Sequence, residues 1–244
     1  MPDFAPGSTG TDEVLFAHDG GAGDARRLTG DLSVRATIGY GGGNFAVGRE
    51  HVYFVERGGR LHLQPIASGA ARPLTPPGVL CAAPALSPDG LRLVYVFELE
   101  GSAGLAIVDH EGRLWPRKLA EGEDFYMQPA WSPDGRALAW VAWNHPQMPW
   151  DGSRLLLGRL EPGAEGPRLA AAPEPLAGGE GEAVLQPQFS PEGGRLAWLS
   201  DREGWFRLYV RDLATGEVRC LTAEQAEFGG AAWQQGMRWF GWLP

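Results

Sequence analysis

The apolar positions of this chain fall in short runs rather than in helical stripes. Arg92-Leu-Val-Tyr-Val-Phe97 and Ala137-Leu-Ala-Trp-Val141 are rich in Val, aromatic and aliphatic side chains and are preceded by polar turn residues. That pattern predicts β-strands. Long stretches of 3.6-residue periodicity are not evident. One phrase recurs around these runs: Pro84-Ala-Leu-Ser-Pro-Asp-Gly-Leu-Arg-Leu-Val94, Pro129-Ala-Trp-Ser-Pro-Asp-Gly-Arg-Ala-Leu-Ala139 and Pro187-Gln-Phe-Ser-Pro-Glu-Gly-Gly-Arg-Leu-Ala197. Proline presets the backbone at the second turn position, Asp tolerates the third, and Gly accepts a positive φ at the fourth. Each phrase therefore predicts a β-hairpin.

A second marker keeps step with the first. Runs ending in Leu or Leu-Thr recur at Leu28, Leu74, Leu119, Leu176 and Leu221, spaced by 46, 45, 57 and 45 residues. Between hairpin and marker lies a third apolar run: Arg60-Leu-His-Leu63, Gly104-Leu-Ala-Ile-Val108, Ser153-Arg-Leu-Leu-Leu157 and Trp205-Phe-Arg-Leu-Tyr-Val210. The unit is strand A, turn, strand B, loop, strand C, turn, strand D. A repeating four-stranded antiparallel unit of about 40–45 residues is a propeller blade.

The expected fold is all-β, a β-propeller spanning residues 14–244 behind an N-terminal tail of residues 1–13. Full blades are expected at about 45–75, 86–120, 131–177 and 189–222, with a half-blade at 14–29 (strands C and D) and another at 230–243 (strands A and B). Both a closed five-bladed ring and part of a larger propeller remain open at this point. The 57-residue spacing places an insertion in the third full unit. Part is the B–C loop Asn144-His-Pro-Gln-Met-Pro-Trp-Asp-Gly152, and the rest, Glu161–Arg168, reads as a solvated turn.

Composition fits this picture. With 36 Gly and 20 Pro among 244 residues, and 43% hydrophobic residues, the chain suits many short strands around one core. A net charge of −9 with no basic stripe argues against a nucleic-acid partner. No apolar run approaches the roughly 20 residues of a membrane-spanning helix. Met1-Pro-Asp-Phe-Ala-Pro-Gly7 lacks the features of a signal peptide, so a cytoplasmic location is expected. Cys81 and Cys220 are expected as two buried free thiols. Neither has a Cys or His at ligand spacing, so no metal and no cofactor is expected.

No catalytic motif is complete, and the chain alone is expected to be inactive. Gly39-Tyr-Gly-Gly-Gly-Asn-Phe45 precedes a strand rather than a helix, and is read as a tight entry to an inner strand. In an A-B-C-D meander the B–C and D–A loops emerge on one face. Here that face gathers Asn144–Asp151, Asp201–Gly204, Asp124–Met127 and Glu224–Phe228, and is aromatic and acidic. Acidic side chains there suit a cationic group such as a peptide amino terminus.

Trp143-Asn-His-Pro-Gln-Met-Pro-Trp-Asp-Gly152, Asp124-Phe-Tyr-Met-Gln-Pro129, Tyr40-Gly-Gly-Gly43, Ser200-Asp-Arg-Glu-Gly-Trp205 and Ala226-Glu-Phe-Gly-Gly230 resemble the propeller of bacterial prolyl oligopeptidase-family serine peptidases. The branch they resemble is that of acylaminoacyl peptidases and dipeptidyl-aminopeptidase-like enzymes. The resemblance implies a propeller that gates and shapes access to an α/β-hydrolase domain, which this sequence does not contain. It also implies a substrate-access or interdomain face built from Tyr126, Trp143, Asn144, His145, Met148, Trp150, Asp151 and Glu227. No triad residue carries over. The implied partners are that hydrolase domain and a peptide substrate. Unpaired strand edges would also permit homo-oligomers. The alternative is a free-standing propeller of the Tol-system type, acting as a protein-binding module.

Overall fold

A computed structural model describes residues 13–18, 24–39 and 41–243. Tyr40 and residues 1–12 of the expected tail lie outside the described residues. Strands form as the hydrophobic runs require. They are β1 (Phe16–Ala17), β2 (Arg26–Arg27), β3 (Phe45–Val47), β4 (His51–Val55), β5 (Leu61–Pro65), β6 (Arg72–Pro73), β7 (Leu80–Leu86), β8 (Arg92–Leu99), β9 (Ser102–Asp109) and β10 (Arg117–Glu121). There follow β11 (Phe125–Trp131), β12 (Ala137–Trp143), β13 (Arg154–Glu161), β14 (Arg168–Leu169), β15 (Glu174–Gly178), β16 (Val184–Phe189), β17 (Arg195–Ser200), β18 (Arg207–Asp212) and β19 (Val218–Cys220).

Four antiparallel sheets result, each a meander in chain order: β3-β4-β5-β6, β7-β8-β9-β10, β11-β12-β13-β15 and β16-β17-β18-β19. They are blades 1 to 4 of a propeller. Inner strands β3, β7, β11 and β16 lie side by side in that order. β1 and β2 pair separately, and β14 pairs with the far end of β13, so the Glu161–Arg168 insertion is the exposed tip of a small hairpin.

The repeated turn closes as its residues dictate. Gly90, Gly135 and Gly193 have φ of 74°, 69° and 77°. Each glycine N–H donates to the carbonyl of the serine three residues earlier, at 2.9 Å. The serine does more than lead the turn. Ser132 Oγ donates to Asp134 Oδ1 (2.6 Å) and accepts the Ala137 N–H (2.8 Å), and Ser87 repeats both contacts. The Leu-Thr marker has a reason of the same kind. The hydroxyls of Thr29, Thr75 and Thr222 accept the N–H of Leu15, Leu61 and Leu208 at 3.3, 3.0 and 3.1 Å, fastening strand D to the start of strand C.

Blade-to-blade packing supplies the core. Along β12 every residue is buried, and alternate side chains enter opposite interfaces. Leu138, Trp140 and Ala142 join the cluster shared with blades 1 and 2, while Ala139, Val141 and Trp143 join the cluster shared with blade 4. A strand covered on both faces reads as a continuous apolar run, which is why Ala137–Trp143 shows no polar alternation.

Two expectations are corrected. Cys220 is exposed, and only Cys81 is buried, both being free thiols. β19 is the outermost strand of blade 4 and all its residues are exposed, so no sheet covers the thiol. Residues 230–243 form no strand A–B hairpin. Their one ladder contact is a parallel bridge between Gly42 and Gln235. Their backbone is claimed instead by side chains of the inner strands, described below.

Candidate functional site

Strands β7, β11 and β16 each break register before the repeated phrase, between Ala82 and Ala85, Met127 and Ala130, and Leu185 and Gln188. The residue before the proline takes a positive φ: 48° at Ala83 and 53° at both Gln128 and Gln186. Proline pushes its predecessor toward extended backbone, so neighbours must hold this conformation. They do so through a ladder of amides near the axis. The Ala83 N–H donates to the Gly43 carbonyl (2.8 Å), the Gln128 N–H to Gln235 Oε1 (3.0 Å), and the Gln186 N–H to Gln128 Oε1 (2.6 Å).

The same ladder seats residues 235–242. The Trp239 N–H donates to Gln186 Oε1 at 2.5 Å, while Gln128 Nε2 and Gln186 Nε2 donate to the carbonyls of Met237 (3.1 Å) and Phe240 (2.7 Å). Trp242 Nε1 reaches the Gln188 carbonyl at 3.3 Å, as Trp131 Nε1 reaches the Ala85 carbonyl at 3.0 Å. The glycine-rich entry is tight for this reason. A Cβ on Gly42 would stand 2.4 Å from the Gln235 carbonyl oxygen, and Gly42 has a φ of 79°. Gln128, Gln186 and Gln235 went unrecognised in the sequence. A signal was there: Gln128-Pro129 and Gln186-Pro187 share a Gln-Pro pair one residue ahead of the repeat as quoted.

The loop-rich face holds a recess of about 850 Å³ between blades 2 and 3. Glu98, Glu100, Glu121, Glu123, Asp124, Phe125 and His145 line it. Burial pushes the Glu98 carboxyl above the usual glutamate range. Glu123 is the hub beside it. Its carboxylate pairs with Arg154 (2.5 Å) and accepts from Asn144 Nδ2, and its N–H donates to the Tyr126 hydroxyl (3.0 Å). Asn144 Oδ1 accepts the Asp124 N–H (2.6 Å), and Asp124 Oδ2 accepts the His145 N–H (2.9 Å). These contacts pin the B–C loop of blade 3 to the preceding D–A loop.

The structure thus brings four of the expected site residues together. Trp143 is buried and stacks on Phe125 with ring centroids 5.1 Å apart, and His145 meets the same ring edge-on at 4.9 Å. Asn144 joins the two loops. Tyr126 is buried, and its hydroxyl positions Glu123 rather than facing solvent. Burial raises its pKa, so it stays a neutral phenol. Met148, Trp150 and Asp151 sit on the next turn of the loop. The Met148 carbonyl accepts the Asp151 N–H at 2.9 Å, and the Trp150 ring lies 4.3 Å from that of Trp233. Glu227 sits apart on blade 4, where it accepts the Phe206 N–H at 3.0 Å.

No family model matches the chain. Among solved structures, puromycin hydrolase superposes with a TM-score of 0.77 and 33% sequence identity, over 90% of this chain and 37% of that one. A puromycin-hydrolyzing peptidase of Mycobacterium tuberculosis gives a TM-score of 0.76 and 29% identity, over 88% of this chain and 36% of that one. This chain resembles the propeller portion of prolyl oligopeptidase-family peptidases. It spans little more than a third of the length of the two solved relatives. A TolB homolog of Chlorobium luteolum is 27% identical over 155 residues, which are 62% of this chain and 31% of that protein. The peptidase-type propeller and the TolB-like propeller therefore share this blade pattern.

Proposed function

We propose that this chain is a non-catalytic propeller region of a serine exopeptidase, gating and shaping substrate access to an α/β-hydrolase domain. The observation that carries the reading is the recess between blades 2 and 3, pinned open by the Glu123–Arg154–Asn144 contacts and lined by carboxylates and aromatic rings. Carboxylates gathered around a recess attract a cationic amine, and rings beside them take an apolar neighbour. Puromycin hydrolase, at 33% identity, supports a peptidase context for this propeller. The reading puts Asn144, His145, Met148, Trp150, Asp151 and the exposed Glu227 on the access face, with Tyr126 and Trp143 buried beneath the loops, in a cytoplasmic enzyme of the acylaminoacyl-peptidase kind.

The test is a chimera in which this chain replaces the matching region of puromycin hydrolase. The chimera should cleave peptide substrates. Glu98→Gln with Glu100→Gln should lower kcat/KM several-fold for substrates with a free amino terminus and leave N-acetylated ones unchanged. Equal effects on both substrate types would defeat the assignment of the recess. A second reading, a free-standing protein-binding module, draws on the likeness to the TolB homolog. It expects a chimera that folds but is inactive, and an isolated chain that captures a protein partner through the same loops.

A further inference from the structure

The inner strands enclose a second concavity, on the axis and open toward the Ser-Pro-Asp-Gly turns. It has a volume of about 550 Å³, within the usual size of small-ligand sites. Phe45, Val47, Leu86, Trp131 and Phe189 give it an apolar wall, and Phe45 and Val47 remain half or more exposed there. Among the lining residues Arg238 is the sole charged one. The amide ladder positions it, because the carbonyl of Met237 and the N–H of Trp239 on either side are both held by inner-strand glutamines. Among the described residues Arg238 has no ion-pair or hydrogen-bond partner, and it is exposed. In a chain of net charge −9, Arg238 brings a guanidinium to a pocket whose other lining residues are uncharged, at the rim it shares with a neighbouring recess that holds Glu13 and Arg35.

We propose that this axial pocket binds the carboxylate of an apolar acid. The planar fork of Arg238 matches both oxygens of a carboxylate. The wall of Phe45, Trp131 and Phe189 removes the apolar body of the ligand from water. Two sources share that chemistry: a small free aryl or alkyl acid, and the C-terminal residue of an apolar peptide. The pocket lies away from the acidic recess, takes the opposite charge, and does not depend on the peptidase reading.

Calorimetry on the purified chain tests it with three probes: phenylacetate, N-acetylphenylalanine and N-acetylphenylalaninamide. The acids are expected to bind at least ~10-fold tighter than the amide, a factor set by one charge-assisted contact. Arg238→Gln should abolish that preference without moving the unfolding midpoint, since Arg238 is exposed. Val47→Asp, at another exposed lining position, should weaken the acids and spare the amide. Tighter binding of N-acetylphenylalanine than of phenylacetate would identify a peptide C-terminus as the source, and the reverse order a free acid. Equal binding of acid and amide, an unaltered preference in Arg238→Gln, or no acid binding at millimolar concentration would overturn the proposal.

Discussion

At the scale of single residues, environment separates side chains that look alike in sequence. Burial pushes the Cys81 thiol up to about 11, while Cys220 stands exposed on β19. A thiol reagent at pH 8 should therefore label Cys220 alone in the folded chain, with Cys81 reacting only on denaturation. Peptide mapping after alkylation checks this, and rapid modification of Cys81 would contradict the packing of blades 1 and 2. Glu98 makes the same point for charge. Its ionised form costs more in the folded chain than in the unfolded one. Its stabilising share is complete below the ordinary glutamate pKa and is lost as pH rises through the raised folded value. Glu98→Gln is thus expected to raise the unfolding midpoint at neutral pH and to leave it unchanged on the acid side of the glutamate range.

At the scale of elements, small hydroxyl contacts decide how strands join. Thr75→Val removes the acceptor of the Leu61 N–H while keeping shape, and Leu61 is fully buried. An unmet buried donor costs about 1–3 kcal/mol, so urea unfolding should show a loss of that order. Ser132→Ala breaks two contacts of one turn and is expected to cost about 1–2 kcal/mol. The blades were legible because this chemistry is local: turn residues and apolar runs sit next to each other in the chain. The Leu-Thr marker was visible too, although its hydrogen bond to strand C was not. What the sequence hid was non-local. The amide ladder links Gln128, Gln186 and Gln235 across blades, with more than 100 residues between the outer pair. Residues 230–243 were expected as strands A and B of a further blade, yet Gln128 and Gln186 of the inner strands hold their backbone. Cys220 looked buried because a strand-like run does not reveal whether its sheet face is covered.

At the scale of the molecule, four radial sheets hold two loop systems apart. Turns with fixed serine contacts lie on one face, and longer loops joined by Glu123, Asn144 and Asp124 lie on the other. The second face carries the expected site residues and the acidic recess, and the proposed function places substrate access there. The inserted loop Asn144–Gly152 is tied at its base to the preceding blade connection. Trp150 is the side chain best suited to report on that face, because it is only partly buried and meets Trp233 rather than a core cluster. The decisive measurement is kcat/KM over a peptide panel for the puromycin hydrolase chimera with and without Trp150→Ala, read beside the unfolding midpoint. A several-fold change in substrate preference with an unchanged midpoint is the expected result. An unchanged preference with a large fall in midpoint would show that the loop merely caps its own blade, and would contradict the account.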